Sequence, residues 1–134
     1  MYRNGVAYCI RKGKGKLERH PMGQGFVIDG KNHDEVSRIL KSVKTLISYD
    51  VATAYSWFAV LCGAESIVIP DHGVSKEQWR PDPQSRYGIA YGFDDWREAN
   101  KTAHLLKGYI ESLESNGVES VRSFVHQVNL FFTE

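Results

Sequence analysis

The chain has 134 residues, enough for one domain with its own hydrophobic core and no need for disulfide staples. Hydrophobic residues make up 42% and charged residues 25%, which is ordinary for a globular protein and excludes a disordered or fibrous chain. The net charge of +1 excludes a global field that would draw the protein to nucleic acid or to a membrane, so an anion site must come from local arrangement.

The two cysteines, Cys9 and Cys62, lie in separate apolar runs that we expect to be buried. Isolated thiols without a Cys-x-x-Cys spacing favour a reducing compartment over a disulfide framework. No apolar stretch is long enough to span a bilayer, and the first residues lack the apolar core of a signal peptide. We therefore expect a cytoplasmic protein without a transmembrane segment.

The chain opens with two predicted strands and a helix. The run Val6–Ile10 predicts a buried strand that ends in a mobile basic loop over residues 11–16. After a further loop, residues 26–28 predict a second short strand. Asn32 then predicts a helix start, because its side chain suits an N-cap and Glu35 follows three residues later.

The middle of the chain predicts a strand, a tight turn and a buried helix. Residues 44–49 read as the third strand, and Asp50 is placed to cap a helix over residues 52–62. That helix is apolar on nearly every face, so we expect it to lie deep in the structure. Gly63 predicts a left-handed C-cap.

The second half repeats the alternation of strand and helix. Residues 66–69 predict a fourth strand, residues 70–87 a long polar loop of the kind that forms lids, and residues 89–91 a short fifth strand. A long helix over residues 96–113 follows, capped by Asp94 or Asp95, and a final helix covers residues 118–132.

Short apolar strands that alternate with helices are typical of a parallel sheet covered on both faces. We therefore predict an α/β fold of the three-layer Rossmann-like kind, with a parallel sheet of four or five strands and helices on both faces. All of residues 1–134 are assigned to one domain.

Ligands of open parallel sheets bind beyond the carboxyl ends of the strands. In the turn over residues 49–55, the amides of residues 52–54 and the dipole of the following helix predict an anion site suited to phosphate, to which Thr53 adds a hydroxyl. The alternative is that Asp50 serves only as an N-cap and Thr53 only as a first-turn residue.

Four cations within six residues follow the first strand: Arg11, Lys12, Lys14 and Lys16. They could fold over a diphosphate, with Arg11 and Lys12 favoured for that role, or they could form a solvated basic loop.

Aromatic side chains provide a further option, since Trp79, Tyr87 and Tyr91 could stack on a base or a sugar or could anchor the long loop to the core. P-loop and dinucleotide fingerprints are absent from the sequence, and its five histidines have no metal-ligand spacing. We expect no metal and no cofactor, and the sequence assigns no catalytic residue.

Several segments together resemble a known family: Val27-Ile28-Asp29-Gly30, Tyr49-Asp50-x-x-Thr53, Ala59-x-x-Cys62-Gly63, Ile67-Val68-Ile69-Pro70 and Gly88-Ile89-Ala90-Tyr91-Gly92. In this order they resemble the C-terminal donor-binding domain of GT-B glycosyltransferases, especially bacterial enzymes that build surface polysaccharides. The resemblance implies a phosphate role near Thr53 and Ala54 and for the basic residues after the first strand. Many such domains hold the ribose with a Glu where this chain has Phe58, so that contact is not carried over.

The resemblance also implies an acceptor-binding domain that this chain lacks, so the chain would be inactive alone. We predict that it binds the nucleotide-diphosphate-sugar donor of a glycosyltransferase. Two alternatives stay open: a non-catalytic subunit that completes a two-chain glycosyltransferase by docking through its last helix, and a flavodoxin-like module that binds a phosphate ligand without sugar dependence. The C-terminal helix within residues 116–134 could dock a missing domain or form a homodimer. The predicted binding residues are Arg11, Lys12, Tyr49, Asp50, Thr53, Ala54, Tyr55 and Tyr91.

Overall fold

The computed structural model describes residues 3–115 and residue 126, and within them the chain alternates between strands and helices. The helix predicted over residues 118–132, apart from residue 126, lies outside the described residues. The strands are β1 (Val6–Cys9), β2 (Phe26–Val27), β3 (Thr45–Ser48), β4 (Glu65–Val68) and β5 (Ile89–Tyr91). The α-helices are α1 (His33–Ser42), α2 (Tyr55–Cys62), α3 (Lys76–Trp79), α4 (Trp96–Thr102) and α5 (Leu106–Ser115).

These strands form one five-stranded sheet in the order β2-β1-β3-β4-β5. Each neighbouring pair is parallel, and the register aligns Ala7 with Leu46 and Leu46 with Ser66 in the central strands. The predicted α/β class with a parallel Rossmann-like sheet is therefore confirmed, and the sheet has the larger of the two predicted strand numbers.

Successive strand residues point to opposite faces, and both faces are covered. On one face, Leu46 packs with Leu40 of α1 and Phe58 of α2 in a buried cluster, and Val68 packs with Leu106 of α5 in the next. On the other face, α4 covers the β4 and β5 side of the sheet through Ala99. The result is the predicted three-layer arrangement.

The β1 and β3 part of that second face is covered by the segment after β1. Tyr8, Tyr49 and Ile69 form a buried cluster there, with Leu17 packed against it. Leu17 belongs to a 3-10 helix, Arg11–Glu18, so the prediction of a loop over residues 11–16 is wrong. This helix can approach the sheet closely because Gly13 has no side chain. A Cβ at that position would collide with the backbone of Tyr49.

The start of α1 is the one that the sequence predicts. Asn32 is the N-cap residue, and its side-chain oxygen accepts a hydrogen bond of 2.9 Å from the amide of Glu35. The end of α2 is also confirmed, since Gly63 caps it with a left-handed φ of 90°.

The start of α2 differs from the prediction, because the helix begins at Tyr55 and not at Ala52. Asp50 Oδ1 accepts the amide of Ala52, and Thr53 Oγ1 accepts the amide of Tyr55, so two side chains hold the intervening residues in consecutive turns. Such local bonds compete with helical ones. The prediction of Asp50 as helix N-cap is therefore wrong, and Ala54 occupies that position.

Two further predicted elements need correction. The loop over residues 70–87 contains α3 and a 3-10 helix, Pro83–Arg86. The helix predicted over residues 96–113 is interrupted by a 3-10 turn, Ala103–Leu105, where the Thr102 hydroxyl donates to Ala99 O and accepts the amide of Gly88. Asp95 precedes α4, but its carboxylate binds the amide of Tyr91 and the ammonium of Lys76 instead of capping the helix.

Candidate functional site

The strand order places a topological switch point between β1 and β3. The chain leaves β1 toward β2 on one side of the sheet and leaves β3 toward β4 on the other, so the two connections diverge and open a crevice at the carboxyl edge. The Arg11 end of the 3-10 helix and the turn after β3 border this crevice.

Arg11 is held there by Asp29, which follows β2. One carboxylate oxygen of Asp29 accepts the amide of Ile10 at 2.8 Å, and the other accepts the amide of Arg11 at 2.7 Å. Arg11 has a φ of 40°, which is strained for a residue other than glycine. The two hydrogen bonds stabilise this conformation, and the Arg11 side chain projects outward, 55% exposed.

Asp50 lies opposite Arg11 and is 7% exposed. Its Oδ1 accepts the amide of Ala52 at 2.9 Å, and its Oδ2 lies 3.9 Å from Arg11 Nε. The carboxylate therefore supports the turn and steadies the guanidinium. This role differs from the helix N-cap that we considered as the alternative for Asp50, because the N-cap of α2 is Ala54.

The turn before α2 carries the amides that the sequence predicts as an anion site. The amide of Ala52 is taken by Asp50. Within the described part of the chain, the amides of Thr53 and Ala54 donate to no protein atom. Thr53 itself is 4% exposed, and its hydroxyl accepts the amide of Tyr55 at 3.2 Å. Two of the three amides that the sequence predicts for an anion site are therefore available, and the anion site itself stays a prediction.

A cavity of about 290 Å³ lies between Arg11, Asp29 and Tyr55, with Cys9 at its base and Lys31 at its rim. Two cations, Arg11 and Lys31, and one carboxylate, Asp29, line the cavity, and both oxygens of Asp29 accept backbone amides. The excess of one positive charge favours an anion over a cation.

The pKa values of Cys9 and Tyr55 are both raised, because both side chains are partly removed from water beside this cavity. Burial, and then the carboxylate of Asp29, raise the pKa of the Cys9 thiol from 9.0 to about 11, so the thiol is neutral at physiological pH. Burial also raises the pKa of Tyr55, against the opposing charge of Arg11. Neither group is a nucleophile or a base near neutral pH, and both can act only as neutral hydrogen-bonding groups.

The other basic residues of the 3-10 helix take different roles. Lys16 Nζ donates to Tyr49 O at 2.9 Å and to Ile69 O at 2.7 Å, and pairs with Asp71 at 2.8 Å. It therefore caps the carboxyl ends of β3 and β4 as a structural group. Lys12 and Lys14 are exposed, and Lys12 adjoins Arg11 in the chain.

Of the eight predicted binding residues, Arg11 and Tyr55 line the cavity, and the other six do not: Lys12, Tyr49, Asp50, Thr53, Ala54 and Tyr91. Tyr49 is 2% exposed on the opposite face of the sheet, where its hydroxyl donates to His20 O. Tyr91 stacks on Trp79 with ring centroids 4.9 Å apart and donates to Val74 O. The indole of Trp79 donates to Val51 O, so these rings anchor the segment after β4 to the core.

Sequence reasoning missed Asp29 and Lys31 as site residues. Their position directly after β2, at the carboxyl edge of the sheet, is the signal that could have found them. Among the described residues, no group of three or more His, Cys, Asp or Glu is arranged to hold a metal ion. Within residues 3–115 and 126, no helix has the length and apolar character needed to cross a membrane.

Comparisons of this chain with protein-family models, with curated proteins and with solved structures find no match. The resemblance to GT-B donor domains therefore stays a prediction that rests on the residues quoted for it.

Proposed function

We propose that this chain is the donor-binding domain of a glycosyltransferase and that the cavity at Arg11 receives the diphosphate of a nucleotide-diphosphate sugar. The observation that carries the proposal is the strained Arg11, fixed by the Asp29 carboxylate at the switch point of a parallel sheet. Strained backbone persists where surrounding structure imposes it, and it concentrates at ligand sites.

The charges around the cavity support an anionic ligand. A planar guanidinium binds two phosphate oxygens at once, and Lys31, which also lines the cavity, adds a point charge. Lys12 and the amides of Thr53 and Ala54 lie outside the lining, and the proposal assigns them contacts with parts of the ligand that extend beyond the cavity. Binding and positioning of the diphosphate would be the contribution of this domain to catalysis.

The complete enzyme in this proposal requires a second domain for the acceptor. The docking or dimerising role predicted for residues 116–134 lies outside the described residues, and it stays a prediction. Cytoplasmic location is likewise part of the proposal, and the two free cysteines, which suit a reducing compartment, support it.

The strand order favours a second candidate function. The order β2-β1-β3-β4-β5 is the one found in flavodoxin-like folds, which bind a phosphate ligand at the β1/β3 switch point. Asp29 and Asp50 also lie at strand ends, as this candidate expects. Both carboxylates accept hydrogen bonds from backbone amides, however, and therefore support the local backbone. The exposed side chain beside them is the cation Arg11, which suits a diphosphate as well as it suits a single phosphate.

Calorimetric titration of the full chain with UDP, GDP, CDP and dTDP, and with their sugar conjugates, tests the proposal. We expect one nucleotide to bind and Arg11→Gln to weaken it by roughly 10- to 100-fold, because charged hydrogen bonds are lost. Arg97→Gln, an exposed arginine on α4, is the matched control and should bind normally. If none of these ligands binds at millimolar concentration, the proposal is wrong. If flavin mononucleotide binds as tightly as the best of the nucleotide sugars, the second candidate is favoured.

A further inference from the structure

A second and larger cleft lies at the same carboxyl edge, beside β4 and β5. Its volume is about 540 Å³, and its floor is formed by Ile69, Pro70 and Gly92, where the two strands end. Its walls come from the distal end of the 3-10 helix and from the turn after β5. None of the residues that the sequence predicts as binding residues lines it.

The charges of this cleft do not suit a diphosphate. The ammonium of Lys16 is neutralised by Asp71 at 2.8 Å and is engaged by two carbonyl groups. Of the remaining lining residues, Arg19 is cationic, whereas Glu18 and Asp94 are anionic. An excess of carboxylates repels phosphate and accepts hydrogen bonds from neutral hydroxyl groups.

Apolar and neutral polar groups complete the lining. Phe93 lines the cleft and is 53% exposed, so a large part of its apolar surface is accessible to a ligand. The Arg19 guanidinium lies 3.3 Å from Nδ1 of His72. A guanidinium only donates, so Nδ1 of His72 is the acceptor in this contact, which leaves Nε2 of the same ring for a ligand hydroxyl. A ring with an apolar C–H face and hydroxyl groups at its edge matches this combination.

The two cavities border the same 3-10 helix. The smaller cavity includes Arg11 and the larger one includes Gly15, four residues further along that helix. At a rise of ~2 Å per residue, Arg11 and Gly15 lie about 8 Å apart along the helix axis, and a ligand that fills both cavities must bridge this span. At about 290 Å³, the cavity at Arg11 is too small for such a ligand as a whole.

We propose that the cleft lined by Phe93, Asp94 and His72 is the subsite for the sugar ring of the donor. The inference rests on the proposed function, and it adds that the sugar and the diphosphate are read by separate surfaces on either side of the 3-10 helix. Phe93 would pack on the C–H face of the ring, and Asp94 and His72 would bind its hydroxyl groups.

Paired titrations of the full chain test the subsite, with UDP and UDP-glucose, GDP and GDP-mannose, and dTDP and dTDP-glucose as probes, monitored through backbone amide chemical shifts. We expect each nucleotide that binds to shift residues near Arg11, and its sugar conjugate to add shifts at Gly92, Phe93 and His72. Phe93→Ala should weaken the conjugate about tenfold and leave the nucleotide alone unchanged. Leu105→Ala, another exposed apolar side chain, is the matched control.

The outcomes separate the two proposals. The subsite is wrong if a sugar conjugate shifts only residues near Arg11 and adds no shifts in the cleft. It is also wrong if Phe93→Ala weakens the nucleotide and its sugar conjugate equally. In both cases the proposed function still stands. Absence of shifts with every probe defeats the proposed function and the subsite with it. The amide spectrum of each variant shows whether its fold is intact.

Discussion

Gly13 and Gly15 lie two residues apart in the 3-10 helix after β1, and their surroundings differ completely. A Cβ at Gly13 would collide with the carbonyl group and side chain of Tyr49, whereas a Cβ at Gly15 would meet nothing within 4 Å. The contact at Gly13 keeps the helix pressed on the sheet. It thereby sets the position of Arg11 on one side and of Lys16 on the other.

We predict that Gly13→Ala destabilises the protein by about 1–3 kcal/mol, because the helix must move away from β3. Gly15→Ala is the matched control and should change the free energy of unfolding by less than ~0.5 kcal/mol. Urea denaturation followed by circular dichroism measures both. Equal stability of the two variants would show that the helix does not pack on Tyr49 as described.

Because the thiol of Cys9 is buried, we predict that the folded protein loses stability at alkaline pH. Its pKa is raised to about 11 in the folded protein, chiefly by burial, above the 9.0 of an unfolded chain. Above pH 9 the unfolded state therefore releases a proton that the folded state retains, and stability falls as pH rises toward 11. At 1.36 kcal/mol per pKa unit, this one group contributes about 2–3 kcal/mol that is lost across that range.

Urea denaturation of the reduced protein at pH 8 and pH 11 provides the measurement, with Cys9→Ala as the comparison. The variant has a lower stability at pH 8, but it should lose about 2–3 kcal/mol less than the wild type on going to pH 11. The other ionisable groups, including Cys62, whose pKa burial also raises to about 11, are present in both proteins, so their contribution to the difference cancels. Identical pH dependence would contradict the assignment of a buried, neutral thiol.

At the scale of the element, the end of α2 depends on Gly63 and its φ of 90°. Gly63→Ala should destabilise the protein by roughly 1–2 kcal/mol, because an alanine is strained in the left-handed region. Gly108 lies within α5, where a Cβ meets nothing within 4 Å, so Gly108→Ala should stabilise by about 0.5–1 kcal/mol. Thermal unfolding of both variants measures the two effects. Gly63→Ala should lower the melting temperature and Gly108→Ala should raise it, so a change of both melting temperatures in the same direction would contradict the prediction.

The sequence predicts a helix end correctly where one local hydrogen bond defines it. It does not predict a helix end where side-chain hydrogen bonds compete with helical ones for nearby backbone amides. The Asn32 cap of α1 needs only a contact three residues away. The start of α2 was misplaced because Asp50 and Thr53 both bind nearby amides, and sequence alone does not decide between a cap and two turns.

The candidate site was predictable only in part, for a related reason. Arg11 could be proposed from its position after a strand, but the carboxylate that holds it comes from Asp29, eighteen residues along the chain. Tyr49 follows a strand in the same way, yet the pleat turns its side chain to the opposite face. Strand ends are visible in the sequence, whereas the contacts across them depend on the strand order.

At the scale of the whole molecule, the sheet and the segment over residues 19–25 should differ widely in stability. β1, β3 and β4 are each paired on both sides, and each has a fully buried residue: Ala7, Leu46 and Val68. Residues 19–25 are exposed, and the amide of Gly23 is held by the Tyr8 hydroxyl rather than by a ladder. We expect the central strands to exchange their amide hydrogens only through global unfolding and residues 19–25 through local opening.

Native-state hydrogen exchange measures this difference residue by residue. The protection free energies of the three central strands should equal the free energy of unfolding from urea denaturation, in the range of about 5–15 kcal/mol, and those of residues 19–25 should be far smaller. A nucleotide sugar bound on both sides of the 3-10 helix should slow exchange in residues 11–18 more than its nucleotide alone, because only the complete ligand contacts both ends of that helix. Equal slowing by the two ligands would show that the ligand stays on the Arg11 side.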